Sequence, residues 1–198
     1  MTEFNPLPEP PEPMEDLEHH WGFVDWEGKV VLDIGADYGS TAYFFLTKGA
    51  KKIIAVEPHH EHRYLDLSYY PRLCELAKKL PQIHPVAKFI THAEDFEELL
   101  LNHDVDVVKV DCEGCEVFLL EVEPGVLRRA SEYVIELHPA RGYPITIERD
   151  FGINELKKRL RERFKTAGFC EVRFFGFGGG ILHFKRVRDR VQRLGEDS

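Results

Sequence analysis

The segment VKVDCEGCEVFLL, residues 108–120, holds two sets of side chains able to do chemistry. Cys112 and Cys115 form a C-x-x-C, a spacing shared by zinc ligands and redox dithiols. Asp111, Glu113 and Glu116 form a carboxylate cluster beside Gly114, suited to polar catalysis at the mouth of a sheet. Structural zinc takes four Cys or His ligands, usually as two pairs, whereas Cys74 and Cys170 stand apart. Redox chemistry runs through a thiolate, which three flanking acids oppose. The carboxylates are therefore the chemical candidates. The cysteines read as small packed side chains, with a stabilising disulfide as the alternative.

Three other places supply partners for them. In VLDIGADYGS, residues 31–40, Gly35 permits a tight turn with close backbone approach to a ligand, and Gly39 lets a following helix start near it. A dinucleotide fingerprint G-x-G-x-x-G would need glycine at positions that hold Asp37 and Ser40, and no G-K-[ST] of a triphosphate loop is present. Glu57 ends the next apolar run, where a carboxylate can accept hydrogen bonds from both hydroxyls of a ribose. His138 ends the run VIEL, with Glu136 two residues earlier on the same strand face. As a neutral imidazole near pH 7, His138 is the best general base in the chain. Asp111 with Glu113 as oxygen ligands of a divalent cation is the lesser reading, and no metal is expected. HHEH, residues 59–62, reads as surface histidines on a loop.

Elements must deliver these residues to one place. The runs KVVLDI (29–34), KIIAVE (52–57), AKFITH (87–92), DVDVVKV (104–110) and EYVIEL (132–137) are apolar and β-rich, and helical stretches separate them. Strands apolar on both faces, alternating with helices, predict a Rossmann-like, doubly wound, mostly parallel α/β sheet with its ligands at the strands' carboxyl ends. The alternating strands EVRFFGF and ILHFKR around GGG predict a C-terminal antiparallel hairpin. Residues 1–13, acidic and rich in proline, read as a flexible tail; residues 14–198 read as one domain, starting with a helix over 14–23.

Composition narrows the class. A net charge of -9 argues against a general nucleic-acid coat, although the last part of the chain, from Glu155, is locally basic in KKRLRERFK and KRVRDRVQR. No apolar run approaches the length of a membrane helix, and the N-terminus has no secretory pattern, so a cytoplasmic protein is expected. Few Asn and Gln beside 31% charged residues suggest a thermophile.

The motifs VLDIGADYG, IIAVEP, VDVVKVDCEGCE and VIELHP, in this order and at suitable distances, resemble the class I S-adenosylmethionine-dependent methyltransferases, and within them the FkbM-like group. The resemblance spans about residues 30–138, and the terminal hairpin suits the class fold, whose last strand runs antiparallel. It departs at Asp37, where the group usually has Asn, and at 59–85, which is longer than the usual connection. The resemblance implies S-adenosylmethionine as cofactor. Asp33, Gly35, Asp37 and Gly39 would form the turn at its methionine end, Glu57 would hold its ribose, Ala93 and Glu94 its adenine, and Asp111 would lie by the reacting centre. His138, with Asp111, Glu113 and Glu136, would carry catalysis. The expected reaction is methylation of a hydroxyl on a small molecule or sugar. The alternatives are an RNA methyltransferase using the basic C-terminal face, and a non-catalytic cofactor-binding or scaffolding subunit. Amine methylation on a base is disfavoured, because DCEG stands where [ND]-P-P-[YFW] would be needed.

Overall fold

The computed structural model describes residues 8–12, 15–59, 69–138, 152–176 and 180–187. Its elements in chain order are α1 Leu17–Trp21, β1 Val30–Ile34, α2 Ser40–Thr47, β2 Lys52–Glu57, α3 Tyr69–Lys79, β3 Ile83–Ala87, α4 Ala93–Asn102 and β4 Val107–Val110. A 3-10 helix, Cys115–Leu120, follows, and then α5 Pro124–Leu127, β5 Glu132–Glu136, α6 Ile153–Thr166, β6 Phe169–Phe175 and β7 Ile181–Arg186. One seven-stranded sheet orders the strands β3-β2-β1-β4-β5-β7-β6. The pairs from β3 to β5 are parallel; β7 lies antiparallel to β5, and β6 antiparallel to β7. The mostly parallel sheet with an antiparallel terminal hairpin is therefore as expected.

Alternation along the strands divides the core in two. Leu32, Ile34, Val108 and Val110 pack with Phe96, Phe118, Leu160 and Phe164 on one face. Val31, Ile53, Val107 and Val134 pack with Trp21, Phe45 and Leu73 on the other. Coverage of both faces explains why the strands carry apolar residues at successive positions. The chain runs from β1 outward to β3, then returns to place β4 on the other side of β1. The crevice at the carboxyl ends of β1 and β4 is thus the topological switch point, where ligands bind in open α/β sheets.

Two boundaries differ from the sequence reading. The third strand is Ile83–Ala87, and residues 88–92 follow it as a non-strand connection. Pro85 argues against a strand in sequence, but β3 is the sheet edge, where proline leaves no ladder bond broken on its free side. The first helix is also shorter, Leu17–Trp21 within the expected 14–23. Of the stretch read as a tail, residues 8–12 are described: Tyr43 Oη donates to the Pro8 carbonyl at 2.8 Å, and Tyr38 Oη donates to that of Glu12. Residues 60–62 of HHEH and the basic residues beyond Val187 lie outside the described residues. Among the described residues, no helix is long and apolar enough to cross a membrane.

Candidate active site

Strand register builds the first half of the site. Asp33 of β1 lies opposite Lys109 of β4, so both side chains leave the sheet on the same face. Lys109 is fully buried, with Nζ 3.1 Å from Asp33 Oδ1, 3.5 Å from Asp111 Oδ2 and 2.7 Å from the Gly35 carbonyl it donates to. Thr41 Oγ1 donates to Asp33 Oδ2 at 2.6 Å. Burial opposes the charge on Lys109, but the surrounding carboxylates of Asp33, Asp111 and Asp37 outweigh it and raise its pKa. Lys109 is therefore a permanent internal cation. At Gly35 (φ +75°) an added Cβ would lie 1.8 Å from the Asp111 carbonyl oxygen, so only glycine lets the ends of β1 and β4 converge.

The turn after β1 presents Asp37 in the left-handed region (φ +48°), which Asp tolerates better than most residues. Its backbone N–H donates to Glu57 Oε2 at 3.0 Å and fixes the carboxylate at the end of β2. Burial, then repulsion from Asp37, pushes the Glu57 carboxyl up to about 8, and burial pushes Asp37 to about 6.

The second half surrounds His138, just beyond β5. Its Nδ1 lies 2.8 Å from Oε1 of the fully buried Glu116. Around Nε2 stand Asp111 Oδ1 at 3.9 Å, Glu113 Oε2 at 3.8 Å and Glu136 Oε1 at 3.8 Å. Burial alone would lower the pKa of this imidazole. The bond and charge of Glu116, with Asp111 and Glu113, reverse that and hold it at about 9. The carboxylates that make the site acidic thus favour the protonated imidazole over the neutral form expected near pH 7. Burial and the charge of Asp111 raise Glu136 to about 7.

The cysteines form a disulfide, Cys112–Cys115, with Cα atoms 5.4 Å apart, which corrects their reading as free packed thiols in favour of the alternative. The bridge closes the loop that carries Glu113 in the left-handed region (φ +56°) and Gly114.

Both halves face one cavity of about 500 Å³, within the range of small-molecule and cofactor sites. Gly35, Asp37, Glu57, Asp111, Glu113, Glu136 and His138 line it. Four expected residues do not. Asp33 is buried behind the wall and committed to Lys109 and Thr41. An added Cβ at Gly39 would meet Leu76 and Leu73, so this glycine serves the packing of α2 on α3. Ala93 is buried and Glu94 exposed in the first turn of α4, and the wall nearby is formed by Lys88, Phe89 and Ile90 instead. Sequence reasoning missed Lys109 as an ion-pair centre, Glu116 as the partner of His138, and Glu15, which reaches the cavity from before α1. Glu15 accepts from Trp21 Nε1 at 2.8 Å and lies 2.6 Å from His20 Nδ1. Lys109 lies inside an apolar run whose pairing only the register reveals, and Glu15 had no signal in the sequence.

The cavity therefore exposes six carboxyl groups against Lys88 and His138. Such a lining suits a ligand that brings positive charge. No family model matches the chain. A curated relative, uncharacterized protein 65 of Sulfolobus islandicus filamentous virus, is 29% identical over 125 residues, which is 62% of this chain and 68% of that protein. A protein of the NADB-Rossmann superfamily from Streptococcus agalactiae superimposes with TM-score 0.60 at 16% identity, over 89% of this chain and 70% of its own. Magnesium protoporphyrin IX methyltransferase from Synechocystis, solved with bound SAM, gives 0.53 at 14% identity, over 82% and 72%. Fibrillarin from Methanococcus jannaschii, a pre-rRNA processing protein, gives 0.53 at 16% identity, over 82% and 68%. The chain has a Rossmann-like fold shared with methyltransferases.

Proposed function

We propose that this chain is an S-adenosylmethionine-dependent methyltransferase of the FkbM-like group that methylates a hydroxyl on a small polar molecule or sugar. The observation that carries the reading is the shared cavity, with Glu57 at the end of β2 and the His138 cluster at the ends of β4 and β5 facing it from opposite sides of the switch point. The lining fits the cofactor. Asp111 and Asp37 offer carboxylates to a cationic sulfonium and α-ammonium group, Glu57 offers acceptors to a ribose, and the glycine at position 35 keeps the wall bare. When bound, S-adenosylmethionine supplies an electrophilic methyl group.

The chain's own part is alignment and proton removal. Lys109 holds Asp33, Gly35 and Asp111 in one rigid unit, so the strand ends keep their spacing without a ligand. His138, with Nδ1 anchored by Glu116, directs Nε2 at the acceptor side of the cavity, where it takes the hydroxyl proton once it has lost its own. An RNA ribose is the second reading, supported by the likeness to fibrillarin. The acidic lining works against a phosphate-rich ligand. So does the internal pairing on α6, where Arg161 binds Glu171, Arg163 binds the Val122 carbonyl and Arg159 binds Glu155. Transfer of tritiated methyl into a cell extract, sorted into small-molecule, RNA and protein fractions, tests both. Label in the small-molecule fraction is expected; label in RNA alone establishes the second reading, and no label in any fraction contradicts both.

A further inference from the structure

The surroundings of His138 have the donor composition of a metal-ion shell. The buried Glu116 carboxylate occupies Nδ1, leaving Nε2 to face the cavity. Metal-binding imidazoles are held in this way, by a carboxylate that fixes the tautomer and the ring plane. The oxygens of Asp111, Glu113 and Glu136 stand 3.8–3.9 Å from Nε2, too far to hydrogen-bond it. Donors in an octahedral shell with bonds of ~2.1 Å lie ~3.0 Å apart when adjacent and ~4.2 Å apart when opposite. The observed separations exceed the adjacent spacing, and only one oxygen could lie opposite Nε2. The donor atoms of Asp111, Glu113 and His138, all within 4.8 Å of one another, therefore gather on an ion by closing in by about 1 Å. A further feature is spare acceptor capacity: among the described residues, Glu136 Oε2 and Glu116 Oε2 are buried without a hydrogen-bond partner. Glu113 is held in a left-handed conformation by a loop that the Cys112–Cys115 bridge closes, which gives its carboxylate a fixed origin.

We propose that Asp111, Glu113 and His138 form a divalent-cation site of the manganese type, with Glu136 at its edge and Glu116 as the positioning residue for the imidazole. Carboxylates suit magnesium, calcium and manganese, whereas one imidazole shifts the preference toward the transition metals; manganese meets both conditions. Asp111 and Glu113 stand far from His138 in sequence, and only the neighbouring ends of β4 and β5 complete the set. The site's role rests on the methyl-transfer reading: an acceptor hydroxyl in the shell would be acidified, with Glu136 in place of His138 receiving its proton. Its existence does not rest on that reading.

Electron paramagnetic resonance of Mn²⁺ titrated with the full chain tests the site without cofactor or acceptor. The free-ion signal should fall to one bound ion per chain. Asp111→Asn and His138→Ala should restore it, and Glu116→Gln should weaken affinity by about 10–100-fold with an unchanged circular dichroism spectrum. A free-ion signal that persists with the wild type overturns the proposal. So does retention of the ion in Asp111→Asn with its loss in Glu15→Gln, which would assign it to Glu15, His20 and Glu136. Calorimetry with S-adenosylmethionine on the same protein separates the two claims. Cofactor binding without Mn²⁺ binding removes the cation site alone, and Mn²⁺ binding without cofactor binding removes the methyl-transfer reading alone.

Discussion

Two clusters of carboxylates meet at the ends of adjacent strands, and they are balanced differently. Around Asp33 the balancing cation is covalently part of the chain: Lys109 sits within 3.5 Å of Asp33, Asp111 and the Gly35 carbonyl. Around His138 the Glu116 carboxylate closes on Nδ1 at 2.8 Å, while those of Asp111, Glu113 and Glu136 stand 3.8–3.9 Å from Nε2, and the balancing charge is a proton held to about pH 9. The first cluster is a closed structural unit. The second leaves Nε2 and its carboxylates facing the cavity, where its positive charge is open to exchange.

If that contrast is right, removing the built-in cation should do the greater damage. Lys109→Met leaves Asp33 buried without its partner and should cost about 3–5 kcal/mol of stability, read as a lowered urea midpoint or failure to fold. His138→Ala should lower the urea midpoint by less, because the buried Glu116 carboxyl, already raised by burial, can take up a proton in place of its lost partner. It should keep cofactor affinity, while turnover on an identified acceptor falls about 10²–10⁴-fold. Equal loss of stability in both variants would erase the distinction between the clusters.

The contrast was only half legible in the sequence. Strand runs that are apolar on both faces announce a parallel sheet, and Glu57, Asp111 and His138 at their ends announce a site, because parallel strands send their carboxyl ends to one edge. Lys109 was hidden by its own run: a lysine inside VVKV looks like an exposed interruption until register places it across from Asp33. The residues assigned to the adenine side lie off the cavity wall for a related reason. Pro85 masked the edge strand, which moved the expected third strand to 87–92 and with it the contacts assigned to Ala93 and Glu94. The protonation of His138 could not be read at all, since it depends on carboxylates that come from separate elements.

The disulfide sharpens the comparison on the open side. A bridge across so short a loop should contribute about 2 kcal/mol, so Cys112→Ser with Cys115→Ser should lower the Tm by several degrees and leave cofactor binding in place. Loss of cofactor binding in the folded double variant would show that the loop, rather than the strand ends, holds the ligand.

A further expected effect is a dependence on pH. Asp37, Glu136 and Glu57 have folded-state values of about 6, 7 and 8, all above the ordinary carboxylate value, and His138 at about 9 lies above an ordinary imidazole. Each group binds its proton more tightly folded than unfolded, so its contribution is complete at low pH and is lost as pH rises through these values. The Tm of the ligand-free protein should therefore fall gradually between pH 5 and pH 9 (about the span of these values). Glu57→Gln should flatten the part of that fall near pH 8. A flat or rising profile would mean that these carboxyls are ionised in the folded protein.

The central claim, that an acidic cavity at the switch point receives a cationic cofactor, is tested most directly by calorimetry of S-adenosylmethionine with the wild type and Glu57→Ala in two buffers of different ionisation heat. The account predicts binding by the wild type with protons released, because the incoming cation and ribose favour ionised carboxylates over the protonated forms. It also predicts weakening by about 1–3 kcal/mol in Glu57→Ala through lost charge-assisted bonds. No binding by the wild type, or equal binding by Glu57→Ala with no proton release, would contradict it.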